Sequence, residues 1–464
     1  MICTVLTAAC SPNSLVDVQA PNTVADPSLI GTAAGAAQLR AAALIGMGAP
    51  LAGGGDANLI LNSGLLTDEL TEGQSIYAGL LGADERRLND PTFGGGRLAA
   101  NTYLNLHRTR ARVQIALQAL QLYATNVPGM PNAWQGEMYA LEGYTVLWFA
   151  ENFCSGIPLT AVKLVGPSVP TAGITTQDML LRAVALFDSA IVAGADSARF
   201  VNLARVGKGR ALLSLGQFAA ADSAVQDVPT DFVYSATFSA ADYPNQFSQY
   251  EAVTNTRVQD NEGQNGLVWS TDPRTGVVPD ASNSEFLHPS KYNVTNGTLD
   301  PFNGQPIAAV HIADGLEARL IQAEAQLAAG DANWLATLNM LRRTCIGTAA
   351  CAPVPGITAE NLPDTLTDRG SETARQNLLF SERAMWLYLT GHREGDLRRL
   401  ARVYQRDPET LWPTGTIVSP AFPGVTGAAL AENGTIYGAD VVFGTDPNES
   451  VTNTLYGGCY DFNP

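Results

Sequence analysis

The chain has 464 residues, 46% of them apolar and 8% aromatic, enough for full cores and, by length alone, for about three domains. That composition excludes a disordered chain. Acidic residues outnumber basic ones 44 to 27, a formal net charge of −17, and repulsion argues against a nucleic-acid or other phosphate-rich partner.

The first nine residues, MICTVLTAA, read as something apart from the fold: an apolar run that ends in small residues and gives way at once to Ser11, Pro12 and Asn13. Leu6-Thr7-Ala8-Ala9-Cys10 resembles a bacterial lipobox, with Thr7 where Leu is usual and no Lys or Arg ahead of the run. Residues 1–9 are then a signal peptide, Cys10 a lipid attachment and residues 10–26 a tether ahead of residues 27–464. The competing reading is a buried N-terminal strand with an inert Cys10. Residues 31–55, rich in Ala and Gly and broken by Gln38 and Arg40, predict a buried helix followed by a flexible glycine turn. No stretch reaches the roughly 18 apolar residues of a membrane span.

Helical periodicity then takes over. Residues 97–125 set Leu106, Val113, Leu117 and Leu120 on one stripe and turn Arg108, Arg110 and Arg112 elsewhere; after a Pro/Gly turn, residues from Ala133 carry Leu141, Tyr144, Leu147 and Trp148. Beyond Thr175 a helix is predicted with Leu181, Val184, Phe187 and Ile191 on its buried face. Next, Leu215-Gly216-Gln217-Phe218 with Ala220 matches the core of a tetratricopeptide repeat. Residues 228–312 change to Asn, Asp, Gly, Ser and Thr with scattered aromatics, predicting loops and a few strands, among them Gly266-Leu267-Val268-Trp269. A second hairpin follows, with Leu316, Leu320, Ala323 and Leu327 facing Trp334, Leu338 and Leu341 across Gly330 and Asp331. A third runs from Leu378, Met385 and Leu389 past Gly391 to Leu397, Leu400 and Tyr404, and the tail after about 405 is again rich in Gly, Pro and Thr. The fold class is mostly α, with tetratricopeptide-like helices at about 97–226 and 313–405 around a loop-rich insert.

Catalytic constellations are scarce. His107, His288, His311 and His392 have no metal-ligand spacing, and no cofactor is expected. Gly207-Lys208-Gly209 lies inside an amphipathic pattern and reads as close helix packing. The charges around Glu382, Arg383, Arg393, Asp396, Arg398 and Arg399 could hold an anion, but a bidentate pair from Arg383 or Arg393 to Asp396 or Glu324 that fixes two helices suits Arg better.

Two of these blocks resemble the SusD/RagB family of nutrient-binding outer-membrane lipoproteins. They are Leu320-Ile321-Gln322-Ala323-Glu324-Ala325 with Gly330 and Leu338-Asn339-Met340-Leu341-Arg342, and Glu382-Arg383 with Gly391-His392-Arg393 and Asp396-Leu397-Arg398-Arg399. Thr390 stands where the family often has an acidic residue, and Glu394 and Gly395 where it often has an aromatic. The resemblance implies a non-enzymatic protein, held to the outer membrane by its lipid, that captures oligosaccharides or peptides for a SusC-like TonB-dependent transporter. Alternatives are a soluble tetratricopeptide scaffold for protein tails and an α/α-toroid glycoside hydrolase.

The resemblance transfers no ligand-binding position, so candidates come from the polar loops: Trp269 first, then Tyr243, Tyr250 and Tyr292, whose rings would stack on sugar CH faces beside Asn265, Asp272 and Asn283. The competing reading of Trp269 is a core residue. An oxidising setting would pair Cys345 with Cys351 across a short loop and leave Cys154 for Cys459.

Overall fold

Capped starts punctuate the helices. Thr32, Asn58, Thr175, Asp314 and Ser371 each turn a side-chain oxygen onto a backbone N–H of the first turn that follows, satisfying donors the helix itself cannot. The computed structural model describes residues 31–72, 78–90, 96–239, 244–248, 256–279, 287–292, 308–345, 351, 362, 365–417 and 435–464. Cys10, the expected signal peptide and tether, Tyr243, Tyr250 and Asn283 lie outside the described residues.

In chain order the helices are α1 (Ala33–Gly46), α2 (Leu59–Leu66), α3 (Ala78–Asp84), α4 (Arg97–Tyr123), α5 (Ala133–Asn152), α6 (Thr176–Ala193), α7 (Ala198–Ser214), α8 (Phe218–Val225), α9 (Gly315–Ala328), α10 (Asn333–Met340), α11 (Glu372–Trp386), α12 (Arg393–Arg402) and α13 (Glu449–Thr452). Helices α4 to α10 pack each on the next, α1 covers α4, and α12 lies against α2, α5 and α7. This is the mostly α hairpin scaffold that the periodicity predicts. The expected glycine turn after α1 is instead wound, over Ala49–Gly53, into a buried π-helical turn.

Among the described residues there are four small sheets, each an antiparallel two-stranded pair. Thr71–Glu72 (β1) meets Thr256–Arg257 (β5), Ile157–Pro158 (β2) meets Gly173–Ile174 (β3), Val233–Ala236 (β4) meets Val310–Asp314 (β8), and Val277–Pro279 (β6) meets Leu287–Pro289 (β7). The β4–β8 pair brings the two ends of the loop-rich insert together, with Val233 opposite Asp314. Gly266-Leu267-Val268-Trp269 is not a strand but a loop, tied down where Asp260 Oδ1 accepts the Trp269 and Ser270 N–H groups.

Buried apolar residues from Ala36 to Phe443 form one continuous core. Its centre is aromatic: Tyr103, Phe149 and Phe153 meet edge to face or tilted, and Phe187 meets Tyr144 edge-on at 5.2 Å. The Gly207-Lys208-Gly209 segment does serve close packing, because a Cβ on Gly207 would fall 2.3 Å from the Phe187 ring. The buried face of α6 differs from the predicted one. Met179, Leu180, Ala183, Leu186, Phe187 and Ala190 face inward while Leu181 is 46% exposed, because small Ala side chains at 183 and 190 let α6 approach α5 and α7 on that side. Arg110 is also not turned outward; it is buried and donates to the Leu159 and Thr160 carbonyls, holding the chain beyond β2.

Candidate functional site

The charges of the third hairpin are spent on the scaffold. Arg383 grips Asp396 through Nε and Nη2 at 2.7 and 2.8 Å, and Arg399 grips Glu324 at 2.6 and 2.9 Å while also donating to Asp396. Burial pushes the Asp396 carboxyl up, but the Arg383 and Arg399 guanidiniums more than offset this and hold it well below the usual carboxylate range. Arg393 departs from expectation: its bidentate partner is Asp68, at 2.7 and 2.6 Å, so it ties α12 to the segment after α2. Arg274 and Arg342 both converge on Glu382, and Arg210 holds Glu151. The carboxylates of the cluster are taken by buried guanidiniums, and Arg398 donates to the Ala150 and Phe153 carbonyls; all of these side chains are closed off from solvent, so the cluster is not an open anion site.

Two of the four aromatics picked from the insert lie among the described residues, and both are core. Trp269 is fully buried with its ring centroid 4.9 Å from that of Tyr388, and Tyr292, 7% exposed, donates its hydroxyl to the Leu389 carbonyl. Neither presents an open face for a sugar. Their polar neighbours are engaged too: Asn265 donates to Asp68, and Asp272 accepts from Arg274. Asn265 and Asp272 are therefore committed to charged groups of the scaffold.

An open concavity lies in the scaffold instead. Between the start of α8, the α9–α10 turn and the start of α11 is a cavity of about 720 Å³, within the roughly 300–1,000 Å³ typical of small-ligand sites. Its wall is aromatic. Phe218 and Tyr404 lie 5.9 Å apart, Phe380 meets Tyr404 edge-on from behind, and Trp334 closes the α10 side. Gly330, at φ +69°, takes the left-handed turn that lets α10 fold back and leaves the mouth open.

The opposite wall is polar. Asp368 and Arg375 form a bidentate pair at 2.7 Å, and that guanidinium, with the Gly370 N–H, holds the Asp368 carboxyl down to about 2. Gln376 donates to Glu372 at 3.2 Å and accepts from Arg406 at 3.0 Å. The Tyr404 hydroxyl is bound to Glu324 at 3.1 Å, which fixes the ring against the Arg399–Glu324–Asp396 network. Burial, followed by the Glu324 charge, pushes the Tyr404 phenol well above its ordinary range, so it stays neutral.

By sequence, Phe218 belongs to a tetratricopeptide core and Trp334 and Tyr404 to hairpin stripes, with nothing to mark that these faces run out at a mouth. The available signal was position: Phe218 opens a helix directly after Gly216, and Tyr404 follows the last turn of another. Among the described residues, no group of three or more His, Cys, Asp or Glu is arranged to hold a metal, and no helix is long and apolar enough to cross a membrane.

The described residues thus form a ladder of helical hairpins with a walled cavity at its edge. No family model matches the chain, and no curated protein matches it. Solved structures do. A SusD homolog from Bacteroides thetaiotaomicron matches at TM-score 0.63 and 14% identity over 98% of this chain and 100% of its own. SusD-like carbohydrate-binding proteins from Bacteroides vulgatus and Bacteroides fragilis match at TM-scores 0.62 and 0.57, with 13% and 12% identity, over 94% and 93% of this chain and 98% and 100% of theirs. The chain has the SusD-like fold over nearly its whole length, in agreement with the resemblance read from its two helical blocks.

Proposed function

We propose that the chain is a nutrient-binding lipoprotein of the SusD/RagB family. It is anchored to the outer membrane through Cys10 and captures oligosaccharides for delivery to a SusC-like TonB-dependent transporter. The observation that carries the reading is the preformed cavity with facing aromatic and polar walls, set in a fold shared along its length with SusD-like carbohydrate-binding proteins. An aromatic wall suits the apolar CH faces of a sugar ring, and a polar wall suits its hydroxyls.

Two measurements test the proposal. The purified protein on a mixed glycan and peptide array should retain oligosaccharides; retention of peptides alone would favour the tetratricopeptide-scaffold reading, which the location of the cavity between hairpins also suits. Membrane fractionation should find the wild type with the outer membrane and Cys10→Ala in the soluble fraction. An unmodified Cys10 in the intact mass of the membrane-extracted protein would overturn the anchor.

A further inference from the structure

Arg393, Asp396 and Arg399 on α12 each have an ionic partner, but Arg398 among them has none. It is buried, and its Nη1 donates to the Ala150 and Phe153 carbonyls at the end of α5. Its Nε and Nη2 are buried too and meet no acceptor among the described residues. One turn further along the same helix, the partly buried Arg402 guanidinium also makes no hydrogen bond or ion pair among the described residues. Both side chains line one small pocket, together with Ala150, Glu151, Ser214 and Gly395.

The other groups around this pocket do not balance the two charges. Glu151 is gripped on both oxygens by Arg210, Arg399 serves Glu324 and Asp396, and the Ser214 hydroxyl is turned to the Arg210 carbonyl. Burial pushes the Glu394 carboxyl up to about 8, so at neutral pH it keeps its proton and offers Arg398 no counter-charge. Asp461 in the tail is exposed, takes the Asn463 N–H and acts on Arg398 and Arg402 only from a distance. Burial pushes the Arg398 guanidinium down to about 10, nearby carboxylates restoring only part of this, and it lowers Arg402 as well. Each still carries its charge at neutral pH. A buried cation with unmet N–H groups is unfavourable unless an acceptor reaches it.

The pocket has a volume of about 10 Å³, room for one water-sized occupant and too small for sulfate or phosphate. Arg402, with its long side chain only partly buried, is the side that yields to admit an ion.

We propose that this pocket is a site for one chloride-sized anion, held by Arg398 Nε and Nη2 and by the Arg402 guanidinium. The ion neutralises the side chain that ties α12 to the end of α5, beside the Cys154 that links the tail. It sits at the enclosed edge of the ion-pair network and is separate from the aromatic cavity.

The test starts from full-length protein dialysed at pH 7 into sodium gluconate, whose anion is too large for the pocket. Replacing gluconate by chloride or bromide at constant ionic strength should raise the unfolding midpoint along a saturating curve. The unfolding equilibrium constant should fall about tenfold at ten times the dissociation constant. Arg402→Gln should lose this response, whereas Arg108→Gln, which removes an exposed positive charge from α4, should keep it. Wild-type crystals soaked in sodium bromide should show an anomalous bromine peak between the Arg398 and Arg402 guanidiniums, a readout that stays decisive if Arg402→Gln fails to fold. A midpoint indifferent to halide, an equal response in Arg402→Gln and Arg108→Gln, or a water without bromine at that position would each overturn the site.

Discussion

Trp269 shows how one residue's chemistry is decided by its surroundings. A Trp in a polar, aromatic-bearing loop has the composition of a sugar platform, yet its ring is fully buried against Tyr388 and its backbone N–H is anchored on Asp260. Trp269→Ala should therefore cost about 3–5 kcal/mol in denaturant unfolding, with the surviving folded fraction binding ligand as the wild type does. Glu69 and Glu394 are a second case. Burial, against the Leu389 N–H that Glu69 accepts and the Arg398 charge beside Glu394, pushes each carboxyl from 4.5 up to about 8. Between those values the unfolded chain has lost the proton and the folded chain keeps it, so stability from these groups is complete below about 4.5 and is lost as pH rises toward about 8. Asp396 acts oppositely, its contribution being present above the ordinary Asp range and lost as pH falls below it. Glu69→Gln, which keeps an acceptor for Leu389, should flatten the alkaline limb of a Tm-versus-pH curve. An unchanged slope would contradict a protonated Glu69.

At the scale of elements, the third hairpin is a set of ion pairs wrapped in helices. Removing one partner leaves a buried charge, so Arg383→Ala, which strands Asp396 with Arg399 alone, should cost about 3–5 kcal/mol in chemical unfolding. The contrast is Arg375, paired with Asp368 in solvent, where Arg375→Ala should leave the unfolding midpoint nearly unmoved. Equal effects at the two positions would mean the network holds nothing. The resemblance blocks lie mainly in this hairpin and in α9–α10, and Glu324, Arg342, Glu382, Arg383, Asp396 and Arg399 within them are all buried. The family-like letters thus read out the scaffold rather than a ligand.

Over the whole molecule, the two disulfides act at different ranges. Cys154 at the end of α5 is joined to Cys459 in the tail, 305 positions away, with Cα atoms 5.8 Å apart. Cys345 and Cys351 close a six-position loop with Cα atoms 5.4 Å apart. In the chain-entropy model, limiting the unfolded chain is worth more for the longer loop, roughly 5–6 kcal/mol against roughly 2. Cys154→Ser/Cys459→Ser should accordingly lower the melting temperature more than Cys345→Ser/Cys351→Ser. Non-reducing peptide mapping should recover both links, and free thiols at either pair would remove the basis for the comparison.

What the sequence determined by itself was local and periodic. Helices α4 to α12 and the turn at Gly330 follow from 3.6-residue spacing and from the left-handed conformation that glycine allows at a helix end. Even there, the inward face of α6 was settled by its neighbours, since Leu181 and Leu180 are alike in hydrophobicity and only the approach of α5 and α7 decides between them. Two distant meetings were a matter for tertiary structure alone: Arg393 pairs with Asp68, 325 positions away, and Tyr404 meets Phe218 only because α8, α9 and α12 come together. A cavity is a gap between elements, and no single element encodes it. Periodicity marks a side chain as apolar and facing inward, but whether it meets another side chain or an open mouth depends on where the packing of several helices stops.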